Sequence, residues 1–207
     1  MKKLFFLFVI FLISCQTKNQ SVQRSQLLDT VKAQETFNEE DLPVNEYLTE
    51  QLTPIRENFK RINSVSEWEA VYRQELEEST EGGEALFYYH DRNLEKIITR
   101  NYGEMAQMLT EYYLMDGKLS FVFEKLYKYN RPIYHDSTAM IAMNDTEFFD
   151  FDKSEIIETR NYFDNGKLIH QLSNQDCGAP FATDYLQDEQ KRIVTAFKRL
   201  VDLRKAK

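Results

Sequence analysis

The stretch Tyr113–Tyr129, YLMDGKLSFVFEKLYKY, decides the fold. Asp116-Gly117 suits a two-residue hairpin, whose central positions both need positive φ. After it, Leu119, Phe121, Phe123, Tyr127 and Tyr129 alternate with Ser120, Val122, Glu124 and Lys128. A period of two is that of a strand, with successive side chains on opposite faces. Met108–Leu114, on the other side of the turn, is its antiparallel partner.

The same grammar extends outward. Tyr113-Leu-Met-Asp-Gly-Lys-Leu119 returns as Tyr162-Phe-Asp-Asn-Gly-Lys-Leu168, 49 residues on, and more faintly as Tyr88-Tyr-His-Asp-Arg-Asn-Leu94. Each copy reads as strand, turn, strand. Ser79–Glu84 is a turn before the aromatic strand Ala85–Tyr89, and Leu94–Tyr102 is a further strand ended by Gly103. Trp68, Ala70, Tyr72 and Leu76 alternate as a strand does, although residues 66–78 also fit a helix. Ser154–Phe163 and Leu168–Leu172 flank Asn165-Gly166, beyond a polar connection from Asp136 to Asp152.

Helical spacing appears at both ends. Leu27, Leu28 and Val31 suggest one short helix. Tyr47, Leu48, Leu52, Ile55, Phe59 and Ile62 put a second apolar stripe on one face, with a kink or fresh start expected at Pro54. Thr183-Asp184 should cap a C-terminal helix, with Gln187 completing a capping box. Ile193, Phe197, Leu200 and Val201 form that helix's apolar face. The expected architecture is α+β: an antiparallel β-meander of six or seven strands, with N-terminal helical segments and a C-terminal helix.

The chain has 207 residues, 26 Lys+Arg against 34 Asp+Glu, and 28 aromatics (15 Phe, 12 Tyr, 1 Trp). Without the first 15 residues, which hold Lys2 and Lys3, the balance is 24 against 34, or -10. Nucleic-acid binding needs a clustered cationic surplus, so it is not expected. The apolar and aromatic content excludes wholesale disorder. Two cysteines exclude a disulfide-rich scaffold.

The N-terminus reads Met1-Lys2-Lys3, then LFFLFVIFLI, then Ser14-Cys15. Ten apolar residues are too few to span a bilayer, which takes about 20. Two lysines before a short apolar run form the n- and h-regions of a secretory signal. Leu12-Ile13-Ser14-Cys15 resembles the lipobox of bacterial lipoproteins. That resemblance implies a signal peptide over residues 1–14 and a Cys15 thioether to diacylglycerol. It further implies anchorage to the outer or inner membrane of a cell envelope. The polar, aperiodic run after Cys15 reads as a tether over residues 15–26, and the length suits one domain over residues 27–207. The hairpins resemble the Tyr-x-x-Asn-Gly-Lys-Leu units of MORN-like repeat proteins. Glu81–Ala85, Tyr129–Tyr134 and Tyr162–Leu168 are similar to stretches of uncharacterised Bacteroidota lipoproteins, which implies localisation and fold rather than activity.

Candidate chemistry is sparse. His90, His135 and His170 lack the i, i+4 spacing of a helical zinc site, so no metal or other cofactor is expected. Cys177 adjoins Asp176, which opposes thiolate formation. Asp150–Ser154 starts like an EF-hand loop, but Glu155 stands at the required Gly and Asn161 at the required Glu. Arg131, between Tyr129 and Tyr134, is the candidate ligand-binding residue, with those two rings beside it. The plainer reading pairs Arg131 with Asp136 or Asp145 to pin the connection. The leading functional expectation is a non-enzymatic binding or envelope-assembly module with a protein or small-ligand partner on an aromatic sheet face. The alternative is a hydrolase whose loop site draws on His135, Asp136, Arg131 or Cys177.

Overall fold

The computed structural model describes residues 48–175 and 182–205. Cys15, the signal and tether segments, the first helical stretch near Leu27 and Cys177 lie outside them. Helix α1 (Thr49–Asn63) is followed by seven strands: β1 (Ala70–Leu76), β2 (Gly83–His90), β3 (Asn93–Tyr102), β4 (Ala106–Met115), β5 (Lys118–Lys128), β6 (Glu155–Asp164) and β7 (Lys167–Ser173). Between β5 and β6 lies the short helix α2 (Ser137–Ala142), and helix α3 (Thr183–Lys205) follows β7. All seven strands pair with their sequence neighbours, antiparallel, in the order β1 to β7. The α+β meander is thus present, and residues 70–76 are strand.

Two details differ from the sequence reading. Helix α1 runs through Pro54 as one element. Pro54 lies near its start, so the carbonyl deprived of a partner is that of exposed Glu50, where water can replace the bond. Asp184 lies inside the first turn of α3 rather than ahead of it, and its carboxylate accepts the Tyr185 N–H at 3.0 Å.

Each sheet face has its own core. On one face Phe87, Ile97, Tyr112, Val122 and Phe163 meet Ile193 and Leu200 of α3. On the other, Tyr113, Phe121, Phe123 and Tyr162 meet Leu52, Ile55 and Ile62 of α1. Phe59 of α1 inserts between Tyr113 and Phe121, with ring centroids 4.8 and 5.3 Å away. The central aromatics are therefore buried.

The repeated motif explains how both faces are served. In each copy the pairing register shifts directly after the Tyr: at Tyr88/Tyr89, Tyr113/Leu114 and Tyr162/Phe163. One residue of the following strand is left without an opposite number: Glu95, Ser120 and Ile169. Such a bulge re-aims side chains. The motif leucines Leu94, Leu119 and Leu168 join the α3-side core. The bulge residues all turn towards α1. Glu95 accepts from Arg61, Ser120 accepts from Asn58 at 3.1 Å, and Ile169 joins the α1 cluster. Three equivalent bulges thus form the seat of the N-terminal helix.

The turns behave as the dipeptides require. Asp116 and Asn165 have φ of 52° and 49°, and Gly117 and Gly166 follow at 72° and 81°. A Cβ at Gly166 would meet nothing within 4 Å, so a substitution there is opposed by backbone strain alone. Gly166→Val should destabilise the protein by roughly 1–3 kcal/mol, and Gly117→Val by a similar amount. Urea midpoints of both variants equal to wild type would refute the strain argument.

Candidate functional site

The β5–β6 connection, residues 129–154, holds most of the residues singled out in the sequence. It departs from Lys128 and returns at Glu155. Tyr129 and Ile133 tuck under it with Leu109 and Tyr127, and Phe149 and Phe151 close over them. Asp136 is the N-cap of α2, its carboxylate accepting the N–H groups of Thr138 and Ala139, both at 2.9 Å. Asn130 clamps the two arms: its Nδ2 donates to the Phe148 carbonyl, and its Oδ1 accepts the Asp150 N–H, both at 3.0 Å.

Asp145 is the centre of the pin. Arg131 donates to both of its carboxylate oxygens, Nε to Oδ2 at 2.8 Å and Nη2 to Oδ1 at 3.0 Å. His135 Nε2 stands 3.3 Å from Oδ2, and the Thr146 N–H donates to Oδ1 at 2.6 Å. Of the two partners weighed for Arg131, Asp145 is the one it takes. Tyr129 and Tyr134 have separate partners: the Tyr129 hydroxyl donates to Gln107 at 3.4 Å, and Tyr134 donates to Glu81. Arg131 and His135 meet through Asp145, whereas Asp136 is spent on its helix cap.

The Arg131 hydrogen bonds, then the Thr146 N–H, hold the Asp145 carboxyl well below the usual carboxylate range. A depressed folded value means that this contribution is fully present above the ordinary pKa of about 4, and is lost only as pH falls through the depressed value. The connection should therefore stay pinned at pH values near 4. Asp145→Ala should release it at neutral pH. Limited proteolysis would show this as new cuts between residues 137 and 148, and equal protection of variant and wild type would refute the pin.

The outer surface of the connection is unusual. Nine large hydrophobic side chains are exposed among the described residues, and six lie at this end of the sheet: Met105, Tyr134, Ile141, Met143, Phe148 and Ile156. Ile141 and Met143 are 73% and 72% exposed, and α2 buries none of its residues. Between residues 130 and 154 there are five carboxylates (Asp136, Asp145, Glu147, Asp150, Asp152) against Arg131 and Lys153, hence 2 − 5 = −3.

Elsewhere, buried carboxylates are paired with cations. On the α1 side of the sheet Lys96 meets Glu111 at 2.6 Å, Arg73 meets Glu84 at 2.8 Å and Lys125 meets Glu158 at 3.0 Å. Burial, with Glu84 adding to it, pushes the Tyr102 hydroxyl up to about 12. Burial and Glu111 push Tyr113 far above its ordinary value, so both phenols stay protonated donors. Two clefts flank the helices. One of about 700 Å³ lies between Asn58 and Arg61 of α1 and the turns at Asn93 and Asp116. The other, of about 520 Å³, lies between α3 and the sheet, with Met108, Leu126 and Ile157 among its lining residues.

Among the described residues no group of three or more His, Cys, Asp or Glu side chains is placed to hold a metal ion. Nor is any described helix long and apolar enough to cross a membrane. No family model, curated protein or solved structure matches the chain. The sequence pointed to Arg131 and its loop. It gave no warning of the apolar exterior, because Ile141 and Met143 look like core residues until the six-residue helix that holds Ile141 and is capped by Met143 is seen to bury none of its residues.

Proposed function

We propose that this protein is a lipid-anchored lipoprotein of the cell envelope, and that its folded domain is a non-enzymatic docking module. The observation that carries the docking role is the pinned, apolar and acidic end formed by the β5–β6 connection. Exposed apolar side chains gathered at one end of a fold are costly in water and often mark an interaction site. Met side chains adapt to varied partners. The acidic surroundings select the occupant: a basic amphipathic segment of a partner protein, its apolar face on Ile141 and Met143 and its cations beside Glu147 and Asp150. The anchoring part rests on Leu12–Cys15, and the Arg131–Asp145 pair serves here as the internal brace of the docking loop.

Two measurements test the reading. Full-length protein should take up an alkyne fatty acid, and Cys15→Ser should not. Wild-type protein that takes up no label removes the anchor. For docking, the probe is a synthetic Leu/Lys amphipathic peptide titrated against the full chain in non-ionic detergent. Ile141→Glu with Met143→Glu should weaken binding at least about tenfold. Stability should change by less than about 0.5 kcal/mol, since neither side chain is buried. If a Leu/Glu peptide binds as well, or the double variant binds unchanged, the docking role fails. Vesicle binding that persists in Cys15→Ser and is lost in the double variant would reassign the surface to lipid.

A further inference from the structure

The cleft beneath α3 lies on the opposite sheet face from the docking loop, and its argument is separate. Met108, Leu126 and Ile157 come from β4, β5 and β6 and supply its apolar lining. Thr159, Gln171 and Ser173 supply polar groups from β6 and β7, and Tyr185, Glu189 and Arg192 come from α3. A volume of about 520 Å³ lies in the range of small-molecule sites.

The polar wall is highly ordered. Arg192 donates from Nη1 and Nη2 to the two Glu124 oxygens, each at 2.9 Å, and from Nε and Nη2 to Glu189 at 3.2, 3.1 and 2.8 Å. Asn161, fully buried, donates to Glu124 at 3.1 Å and accepts from Gln171 at 2.6 Å. The carboxylates push the Arg192 guanidinium well above its ordinary value against the cost of burial, so it stays charged. Four of its five N–H groups are needed for those bonds. Glu124 Oε1 accepts only one of the bonds named here, and Glu189 Oε1 likewise, so each retains a lone pair. Two carboxylates against one guanidinium leave a charge of −1. The carboxylate part of the wall thus keeps acceptor capacity and a net negative charge, beside an apolar surface.

The geometry points to a binding site for a small organic ammonium compound, with its amine on the Glu124–Glu189 wall and a short apolar body against Met108, Leu126 and Ile157. An anion would meet net negative charge and a cation already engaged. A neutral alcohol would fill the apolar part without satisfying the charge.

The test titrates benzylammonium, benzyl alcohol and benzoate against the full chain in non-ionic detergent. Saturation-transfer NMR reads binding, with micelles alone as the blank. Benzylammonium should bind at least about tenfold tighter than benzyl alcohol, and benzoate not measurably. Leu126→Trp should fill the cleft and abolish the signal. Glu189→Gln, on the rim, leaves the apolar lining intact and should erase the preference for ammonium over alcohol. Equal binding of all three probes, no binding by benzylammonium, or an ammonium preference untouched by Glu189→Gln each overturns the assignment. The docking variant Ile141→Glu with Met143→Glu should bind benzylammonium as wild type does, and loss there would overturn the independence of the two sites.

Discussion

Phe163→Ala is expected to cost roughly 3–5 kcal/mol. Phe163 is fully buried in the core on the α3 side, in the cluster of Phe87, Ile97, Tyr112 and Leu168 with Ile193 of the helix. Truncation removes transfer free energy and leaves a cavity that a continuous antiparallel sheet cannot collapse to fill. It also strikes the bulge at Tyr162/Phe163, where the register that sends Phe163 to one face and Tyr162 to the other is set. At this size a loss of 1 kcal/mol lowers Tm by about 2–4 °C, so a fall of roughly 10 °C is the expected reading. Phe148→Ala is the control. Phe148 is 49% exposed, and its removal should cost less than about 0.5 kcal/mol. Equal melting of the two variants would overturn the assignment of inside and outside.

Arg192→Ala should also be severe, for an electrostatic reason. The Glu124 side chain is 9% exposed and relies on Arg192 for its charge balance. Removing one partner of a buried pair typically costs about 3–5 kcal/mol. Arg192 is half exposed, so water can reach the place it leaves, and about 2–3 kcal/mol is expected. Glu124→Leu combined with Arg192→Leu should recover most of that loss, since an apolar replacement of an ion pair is often neutral. Urea unfolding of Glu124→Leu, Arg192→Leu and the double variant closes the cycle. If the double variant is the sum of the singles, the pair has no coupling and the polar wall is incidental.

The meander was legible because its hairpins announce themselves. Asp116-Gly117 and Asn165-Gly166 each fix a turn whose φ signs few other dipeptides accept, and the alternation after Leu119 fixes which element follows. What alternation hides is the bulge. A period of two assumes both strands keep step, so Glu95, Ser120 and Ile169 read as ordinary positions although they build the seat of α1. The short helix α2 was missed because six residues carry too little periodicity, although Asp136 ahead of Ser-Thr-Ala was a usable cap signal. Tyr129 sat beside Arg131 in sequence and was read with it. Tyr129 lies one residue past β5, where its N–H donates to the Met105 carbonyl at 2.9 Å, and its ring packs into the core with Leu109 and Tyr127. The Glu124–Arg192 pair spans 68 residues, and no local pattern reports a contact of that range.

The three bulged hairpins follow one another at unequal spacing. Their tyrosines, Tyr88, Tyr113 and Tyr162, are spaced 25 and then 49 residues apart. The link from β3 to β4 takes three residues, 103–105, whereas the link from β5 to β6 takes 26, residues 129–154. The second spacing exceeds the first by 49 − 25 = 24 residues, and the second link exceeds the first by 26 − 3 = 23. The surplus is thus almost wholly in the connection. A tandem array of three similar hairpins, lengthened once between its second and third copies, accounts for both figures. In structural terms the sheet is a series of like hairpins in which one link, residues 129–154, is long. That link covers Leu109 and Tyr127, so it contributes to the core as well as joining two strands.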